Sequence, residues 1–188
     1  MSKDEWINKW ANPQHQQKKL DMFNIVDSYI NFEPKTILDI GCGLAVESEL
    51  FQKKYNCNLY LLDGDFDTTV SRKRKVNYGS DTTMAFYSKV PDLMNSWNER
   101  KLKYTFIDAN DISIDSSIKF DLIYSFESCG FHYPANSYAE LIKKHSHENT
   151  VCIFDIRTKT YAEQSANFQT VKKIHTGHKF ETTVLKFK

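Results

Sequence analysis

Two aspartates and two glycines lie at the ends of apolar runs early in the chain, where their spacing suits the binding of a nucleotide-like ligand. Asp39 is inside the first run, Gly41 and Gly43 follow it, and Asp63 ends the second run. A glycine turn before a helix exposes backbone N–H groups at the positive end of the helix dipole. A carboxylate about twenty residues further on can accept hydrogen bonds from ribose hydroxyls. The carboxylate of Asp39 would repel a pyrophosphate but could hold an ammonium group, which disfavours a dinucleotide.

The glycine turn needs a strand before it and a helix after it. The apolar run at 37–40 predicts a buried strand, and apolar residues at helical spacing predict a helix from about 44 to 55. Alternating apolar positions near the C-terminus predict a hairpin that turns at Gly177. Further predicted elements are strands at 58–63, 103–107, 120–126 and 150–155, hairpin strands at 170–174 and 180–187, a helical stretch at 4–31 divided by Pro13, and helices at about 72–75, 84–101 (interrupted by Pro91), 137–145 and 158–166.

Three segments resemble a known family. Residues 39–45, Asp-Ile-Gly-Cys-Gly-Leu-Ala, resemble motif I (D-x-G-x-G-x-G) of the class I S-adenosylmethionine-dependent methyltransferases, with Ala45 in place of the third glycine. The loop at 108–111 resembles the family's acidic G-D-A-x-D loop, with Ile107 in place of its glycine, and 120–123 resembles its F-D-x-I/V segment. The resemblance covers about residues 34–188.

The resemblance implies a fold and a domain organisation. It implies a Rossmann-like, doubly wound α/β fold with a mostly parallel seven-stranded sheet and a C-terminal antiparallel hairpin. The whole chain, 1–188, is then one domain, in which 34–188 form the core and 1–33 an N-terminal helical cap. The cap either packs on the edge of the sheet, with Trp6 and Trp10 as packing residues, or forms a lid over the site.

The resemblance also implies a cofactor, S-adenosyl-L-methionine, whose product is S-adenosyl-L-homocysteine. Asp39 would hold the ammonium of its methionine part and Asp63, with Asp65 as a competitor, its ribose. Asp108 would accept from the adenine amino group, and the backbone N–H of Ala109 would face the ring. The full set of predicted cofactor-binding residues is Asp39, Gly41, Cys42, Gly43, Asp63, Gly64, Asp108, Ala109 and Ser125.

The loop after the fourth predicted strand carries the catalytic candidates. Methyl transfer from a sulfonium needs chiefly a well-placed acceptor, and a base can make that acceptor more reactive. A histidine side chain can titrate near neutrality, and His132 is the predicted base or orienting group, with Glu127 as its partner. Asp155 and His15 are less favoured candidates. Acidic and histidine ligand types are present, but no spacing indicates a metal site.

Composition limits the classes of partner and compartment. The 25 Lys and Arg residues nearly balance 24 Asp and Glu, for a formal net charge of +1, which is unlike a dedicated nucleic-acid binder. The four cysteines are widely spaced, as is typical of reduced thiols rather than a disulfide framework. The N-terminus lacks an apolar signal core and no apolar run has membrane-spanning length, so a cytoplasmic protein is expected.

The favoured function is methyl transfer to a compact small-molecule acceptor. The neutral charge and aromatic-rich loops suggest a sugar hydroxyl. Two alternatives remain open at this point. One is methylation of a protein or nucleic-acid group, suggested by the basic run at 72–75. The other is a cofactor-binding module without transfer activity.

Overall fold

Strands and helices alternate in the computed structural model, which describes residues 11–64, 89–160 and 167–188. The α-helices are α1 (Pro13–Tyr29), α2 (Val46–Tyr55), α3 (Val90–Glu99) and α4 (Ala139–His145). The strands are β1 (Thr36–Ile40), β2 (Asn58–Asp63), β3 (Tyr104–Asp108), β4 (Phe120–Ser125), β5 (Ser146–Arg157), β6 (Phe168–Thr176) and β7 (Phe180–Phe187), and short 3₁₀ helices lie at Ala135–Tyr138 and Thr158–Thr160.

The described strands form one sheet in the order β3-β2-β1-β4-β5-β7-β6. The first five strands in this order pair in parallel, and β7 pairs antiparallel with both β5 and β6. The order reverses between β1 and β4, and ligands of open α/β sheets bind beyond the carboxyl ends of the strands at such a point. The predicted mostly parallel sheet with a C-terminal hairpin is therefore confirmed.

Apolar side chains cover both faces of the sheet, as a doubly wound fold requires. One buried cluster joins the sheet to α1, α2 and α3 through Val26, Phe51 and Trp97. A second cluster joins the opposite face to the segment around α4 through Tyr138 and Ile142. Every β1 residue after Thr36 is buried, which explains its nearly continuous apolar sequence.

Helix α1 packs beside the sheet. Its buried residues Met22, Phe23 and Val26 face the core, and the helix contacts α2 and β6. Residues 13–29 therefore pack against the core, and the lid interpretation stays a prediction. Trp6 and Trp10, the packing residues of the first interpretation, lie outside the described residues. No helix in the described part of the chain is long and apolar enough to cross a membrane.

Several element boundaries differ from the sequence prediction. Helix α3 begins at Val90, and Pro91 lies in its first turn, where the missing N–H has no helical partner to lose. The predicted helix at 137–145 is divided into a 3₁₀ turn and α4. Strand β5 is longer than predicted because it pairs on both sides, with β4 and with β7. The predicted helical residues 72–75, 84–88 and 161–166 lie outside the described residues.

Asp121, at the start of β4, ties together the edge of the sheet opposite the site. Its Oδ2 accepts the backbone N–H groups of Lys35 at 2.7 Å and Thr36 at 2.9 Å. Its Oδ1 lies 3.1 Å from Nε2 of His147, whose Nδ1 accepts the backbone N–H of Asn149. The aspartate of the F-D-x-I/V segment thus fixes the start of β1 against β4.

We expect Asp121→Ala to lower the free energy of unfolding by about 2 kcal/mol, because two backbone N–H groups lose a charged acceptor. Urea unfolding measures the change. His147→Ala is the matched control: it removes only a half-exposed side-chain pair and should cost less than about 1 kcal/mol. Equal losses in the two variants would show that the backbone contacts of Asp121 contribute nothing.

Candidate functional site

The turn between β1 and α2 has three residues in the left-handed region. Gly41 has φ +74°, Gly43 φ +49° and Ala45 φ +52°. The N–H groups of Gly41 and Cys42 donate to the carbonyl of Leu62 at 2.7 and 3.2 Å, which fixes the turn to β2. The Ala45 methyl group is buried at the start of α2, so alanine fills the third glycine position at the cost of an unfavourable backbone conformation.

The two glycines of the turn have different surroundings. A Cβ on Gly41 would lie 1.8 Å from Ser128 Oγ and 3.5 Å from the Tyr133 hydroxyl, and these two hydroxyl oxygens are 3.2 Å apart. A Cβ on Gly43 would meet nothing within 4 Å among the described residues. The space beside Gly41 is therefore filled by side chains from the loop after β4, and the open approach to the backbone is at Gly43.

Asp63 lies beside this open position, at the end of β2. Its Oδ2 accepts the Gly43 N–H at 2.8 Å and its Oδ1 accepts the Gly64 N–H at 2.8 Å. Burial raises the pKa of Asp63 to about 6, although both N–H groups favour the charged form. Cys42 Sγ is 4.0 Å from Asp63 Oδ2, and burial together with the Asp63 charge raises the pKa of this thiol. Cys42 is therefore a neutral packing group, and Asp63 offers a carboxylate next to the open turn.

Asp39 belongs to a buried hydrogen-bond network under the first turn of α2. Its Oδ2 accepts from Ser48 Oγ at 2.8 Å and from the Tyr124 hydroxyl at 3.0 Å, and these two oxygens are 2.6 Å apart. Burial, with the charge of Glu47, raises the pKa of Asp39 to about 7. Sequence reasoning missed Ser48 and Tyr124, although a polar side chain at a buried helix position and another in an apolar strand were the available signals.

A half-buried lysine of α1 reaches the same edge of the sheet. Lys19 Nζ lies 3.0 Å from Glu47 Oε1 and 3.9 Å from Glu127 Oε2. Burial alone would lower the pKa of Lys19, but the charges of Glu47 and Glu127 raise it well above its usual range. Lys18 Nζ also bonds Glu127 Oε1 at 2.6 Å. Helix α1 therefore contributes two cations to the site. The sequence analysis did not predict them, because the polar N-terminal half of this helix has no pattern that points to the site.

These lysines change the chemical character of Glu127. Burial would raise its pKa, but the hydrogen bond from Lys18 and the charges of Lys19 and His132 hold the pKa of Glu127 below its usual range. A carboxylate with a lowered pKa is a poor proton acceptor and a stable negative charge. Glu127 lies close enough to His132 for their charges to interact, and its lowered pKa suits it to an electrostatic role.

Asp155 positions the backbone of Glu127. Glu127 has φ +51°, and its N–H donates to Asp155 Oδ2 at 3.0 Å. Asp155 Oδ1 accepts from Thr182 Oγ1 at 2.7 Å, and the side chain is fully buried. Burial raises the pKa of Asp155 to about 7. As a base Asp155 was less favoured than His132, and its buried carboxyl group is occupied by these contacts.

The loop that carries His132 is closely fixed. The His132 N–H donates to the Ser128 carbonyl at 2.7 Å, and its ring meets Phe131 edge to face at 4.9 Å. The Arg157 guanidinium lies over the Phe131 ring, with its Cζ 4.6 Å from the ring centroid. A Cβ on Gly130 (φ +91°) would lie 2.7 Å from the Asp155 carbonyl oxygen. His132 is half-buried at this rigid position, whereas His15 lies in the first turn of α1.

Ser125 holds the ends of β1 and β4 together. Its hydroxyl donates to the Ile40 carbonyl at 2.7 Å and accepts the Cys129 N–H at 2.8 Å, and the residue is fully buried. Both hydrogen-bonding functions are thus used inside the protein. Ser125 was predicted as a cofactor contact, but these bonds give it the role of positioning the turn and the β4 loop.

The acidic loop after β3 is only partly as expected. Asp108 is exposed at the strand end, and its Oδ1 accepts the Asn110 backbone N–H at 2.8 Å, so its side chain could still meet a ligand. The Ala109 N–H donates to the Asp63 carbonyl at 2.9 Å. The expectation that this N–H faces an adenine ring needs correction, because β2 already holds it.

Trp97 of α3 and Arg100, the C-cap residue of that helix, contact the glycine turn. The sequence analysis did not predict either contact. The Trp97 indole N–H donates to the Gly43 carbonyl at 3.1 Å. The Arg100 guanidinium donates to the Leu44 carbonyl and to the Glu49 carboxylate. Neither residue has a local signal, because its partner is distant in the chain. Within the described ranges, no group of three or more His, Cys, Asp or Glu side chains could hold a metal ion.

Compared by sequence, the chain matches no protein-family model and no curated protein. Compared by structure, it is similar to the PH0226 protein from Pyrococcus horikoshii OT3, with 14% identity and a TM-score of 0.65 over 94% of this chain and 93% of that chain. The ribosomal protein L11 methylase from Lactobacillus delbrueckii subsp. bulgaricus has 15% identity and a TM-score of 0.60, over 93% and 80%. The plantazolicin methyltransferase BpumL, solved with a monoazolic desmethylPZN analog and S-adenosylhomocysteine (SAH), has 15% identity and a TM-score of 0.52, over 87% of this chain and 61% of that chain.

The chain therefore has the Rossmann-like α/β fold of these solved methyltransferases, as the resemblance in its sequence predicted. At these identities the likeness is one of fold, and the activity has to be argued from the site itself.

Proposed function

We propose that this protein is an S-adenosylmethionine-dependent methyltransferase that acts on a small-molecule acceptor. The observation that carries the proposal is the open backbone at Gly43 with the Asp63 carboxylate beside it, at the point where the strand order reverses. A Cβ at Gly43 would fill that space, so the turn suits a ligand that contacts the backbone. The BpumL structure holds SAH on a similar fold.

The acidic residues of the site match the polar groups of this cofactor. Asp63 can accept from the ribose hydroxyls, because each of its oxygens has a second acceptor site beside the bond from Gly43 or Gly64. Asp39 would attract the α-ammonium group, and the exposed Asp108 carboxylate would accept from the adenine amino group. Lys19 supplies the positive charge that the cofactor's carboxylate needs, and it keeps the excess of nearby acids from repelling that carboxylate.

The loop after β4 would meet the acceptor. When bound, the sulfonium supplies an electrophilic methyl group with a good leaving group. His132 would take the proton from an acceptor hydroxyl or amine. Glu127, held as a charged carboxylate by Lys18 and Lys19, would stabilise the imidazolium that forms. Ser128 and Tyr133 keep this loop against Gly41, so the acceptor and the methyl group would be held in a fixed relation.

A compact acceptor, such as a sugar hydroxyl, remains our preferred substrate class. The near-neutral charge disfavours a polyanionic partner. The basic run at 72–75, which suggested a macromolecular acceptor, lies outside the described residues. All four cysteines are buried free thiols, which agrees with a proposed location in the reducing cytoplasm.

Calorimetry with SAH tests cofactor binding, and release of SAH from S-adenosylmethionine with a panel of sugars, amines and phenols tests transfer. Micromolar binding and acceptor-dependent SAH release are the expected results. Absence of heat with both SAH and S-adenosylmethionine would overturn the proposal. Binding without release by any acceptor would favour a silent module, and release only with RNA or protein, with a steep salt dependence for RNA, would favour a macromolecular acceptor.

Asp39→Asn is expected to change stability and cofactor affinity in opposite directions. At pH 8 the asparagine carbonyl can still accept from Ser48 and Tyr124, while the buried charge near Glu47 is removed. The free energy of unfolding should therefore rise by about 1 kcal/mol. SAH binding should weaken about tenfold, because the α-ammonium group of the ligand loses its charged partner.

The pH dependence separates the two effects. In the unfolded chain Asp39 releases its proton near 3.8, the ordinary pKa of an aspartate, but burial in the folded protein raises that pKa to about 7. Protonated Asp39 thus stabilises the folded protein at low pH, and this contribution is lost as the pH rises through 7. The stability gain in Asp39→Asn should shrink at pH 6, as urea unfolding would show. Ser48→Ala, the control, loses a hydrogen bond without losing a charge and should reduce stability at both pH values. Unchanged SAH affinity in Asp39→Asn would remove Asp39 from the ligand site.

A further inference from the structure

We infer that Trp97 and Arg100 are positioning residues that hold the glycine turn in the shape that binds the cofactor. The inference rests on the proposed function, because the turn needs this shape only if it binds a ligand. Neither residue is expected to touch the ligand. Both act through backbone carbonyl groups of the turn.

Trp97 fixes the first of these carbonyls. Its indole N–H donates to the Gly43 carbonyl oxygen at 3.1 Å, and the side chain is fully buried. The indole is held edge to face by Tyr104, with ring centroids 5.0 Å apart, and it also contacts Phe106 at 6.1 Å. A rigid donor on α3 therefore holds the Gly43 carbonyl, while the Asp63 carboxylate accepts the Gly43 N–H.

Arg100 fixes the next carbonyl. The guanidinium donates through one nitrogen to the Leu44 carbonyl oxygen and through the other to the Glu49 carboxylate of α2. Its Nε donates to the Ser96 carbonyl at 3.3 Å, so the side chain is oriented by its own helix. A planar guanidinium can make these bonds at once in fixed directions, which a lysine ammonium cannot reproduce.

The turn needs such support because of its backbone conformation. Gly43 and Ala45 are both left-handed, and alanine disfavours that region. With the Gly43 and Leu44 carbonyls fixed on one side and the Gly43 N–H fixed to Asp63 on the other, the peptide planes on both sides of Gly43 are set. The open face at Gly43 is thus formed before a ligand arrives, which lowers the ordering cost of binding.

The test compares SAH affinity with thermal stability in four variants of the full chain. Trp97→Phe removes the indole donor but keeps an aromatic ring, Arg100→Gln removes the guanidinium, and Arg100→Lys keeps only the charge. Glu49→Gln is the matched control, because it weakens the ion pair and leaves the bond to the Leu44 carbonyl. Calorimetry measures the SAH Kd well below each melting temperature.

We expect Arg100→Gln to weaken SAH binding about tenfold, Trp97→Phe and Arg100→Lys about fivefold, and Glu49→Gln less than about twofold. In turnover assays the KM for S-adenosylmethionine should rise by the same factors, with kcat nearly unchanged. A purely structural role would lower the melting temperature without moving the Kd of the folded protein.

The inference is overturned if folded Trp97→Phe and Arg100 variants bind SAH as the unchanged protein does. Should Arg100→Gln fail to fold, Arg100→Lys and Trp97→Phe decide. If the unchanged protein itself gives no heat with SAH or S-adenosylmethionine, the proposed function fails and the inference falls with it. Normal binding in the variants would overturn the inference alone.

Discussion

Gly43→Ala is expected to weaken SAH binding at least about a hundredfold while the protein remains folded. The added Cβ would meet nothing within 4 Å among the described residues, so it creates no internal clash. Its cost to the free energy of unfolding should be about 1–2 kcal/mol, from the left-handed backbone at φ +49°. The methyl group would instead occupy the space through which a ligand reaches the turn. Calorimetry and urea unfolding of the same preparation measure both effects.

Gly41→Ala is the contrasting variant in the same turn. Its Cβ would lie 1.8 Å from Ser128 Oγ, and its φ is +74°, so the loop after β4 must move. We expect it to lose about 2–4 kcal/mol of stability, from overpacking and backbone strain together. If Gly43→Ala bound SAH with unchanged affinity, the open position would not be the cofactor site. If both variants lost stability equally, the two glycines would not differ as the structure shows.

His132→Ala is expected to lower kcat at least about a hundredfold, the usual range for loss of a general base, with SAH affinity changed less than about twofold. The ring is half-buried on a loop that Ser128, Phe131 and Arg157 hold in place. Removing it should therefore remove a proton acceptor without moving the backbone. Turnover with an acceptor found in the panel, measured as SAH release across pH 6–9, reports the change.

Two companion variants sharpen this test. Glu127→Gln removes the charge that would stabilise the imidazolium and should lower kcat about tenfold at pH 7. Loss of the same charge should lower the pKa of His132 and so move the acidic limb of the pH profile to lower pH. His147→Ala, at the opposite edge of the sheet, should leave turnover unchanged. Near-normal turnover of His132→Ala with intact SAH binding would exclude His132 from the mechanism.

Helix α1, part of the predicted cap, carries a lysine that contacts two acidic residues of the candidate site. Lys19 lies between Glu47, next to the glycine turn, and Glu127, on the loop that would meet the acceptor. The charges of both glutamates keep Lys19 protonated, and Lys19 in turn helps to keep Glu127 ionised. A segment outside the core sheet therefore lowers the pKa of a candidate catalytic residue.

The sequence alone was sufficient for features encoded by neighbouring residues. Apolar runs located β1 and β2, and the glycines located the turn, because an apolar period and a need for positive φ are local properties. The hairpin around Gly177 followed from alternation and a turn residue in the same way. Asp63 was placed beside the turn because parallel strands that are adjacent in the sheet end at the same edge.

The tertiary structure alone decided which side chains meet at that edge. Ser128 fills the space beside Gly41, the Ala109 N–H is taken by Asp63, and Lys18 reaches Glu127. Trp97 approaches the turn from an element far along the chain. The physical reason is that partners of this kind depend on strand order, register and helix placement, which are set by packing over the whole domain. A local pattern fixes where a residue can point along its own element, and packing fixes what it meets there.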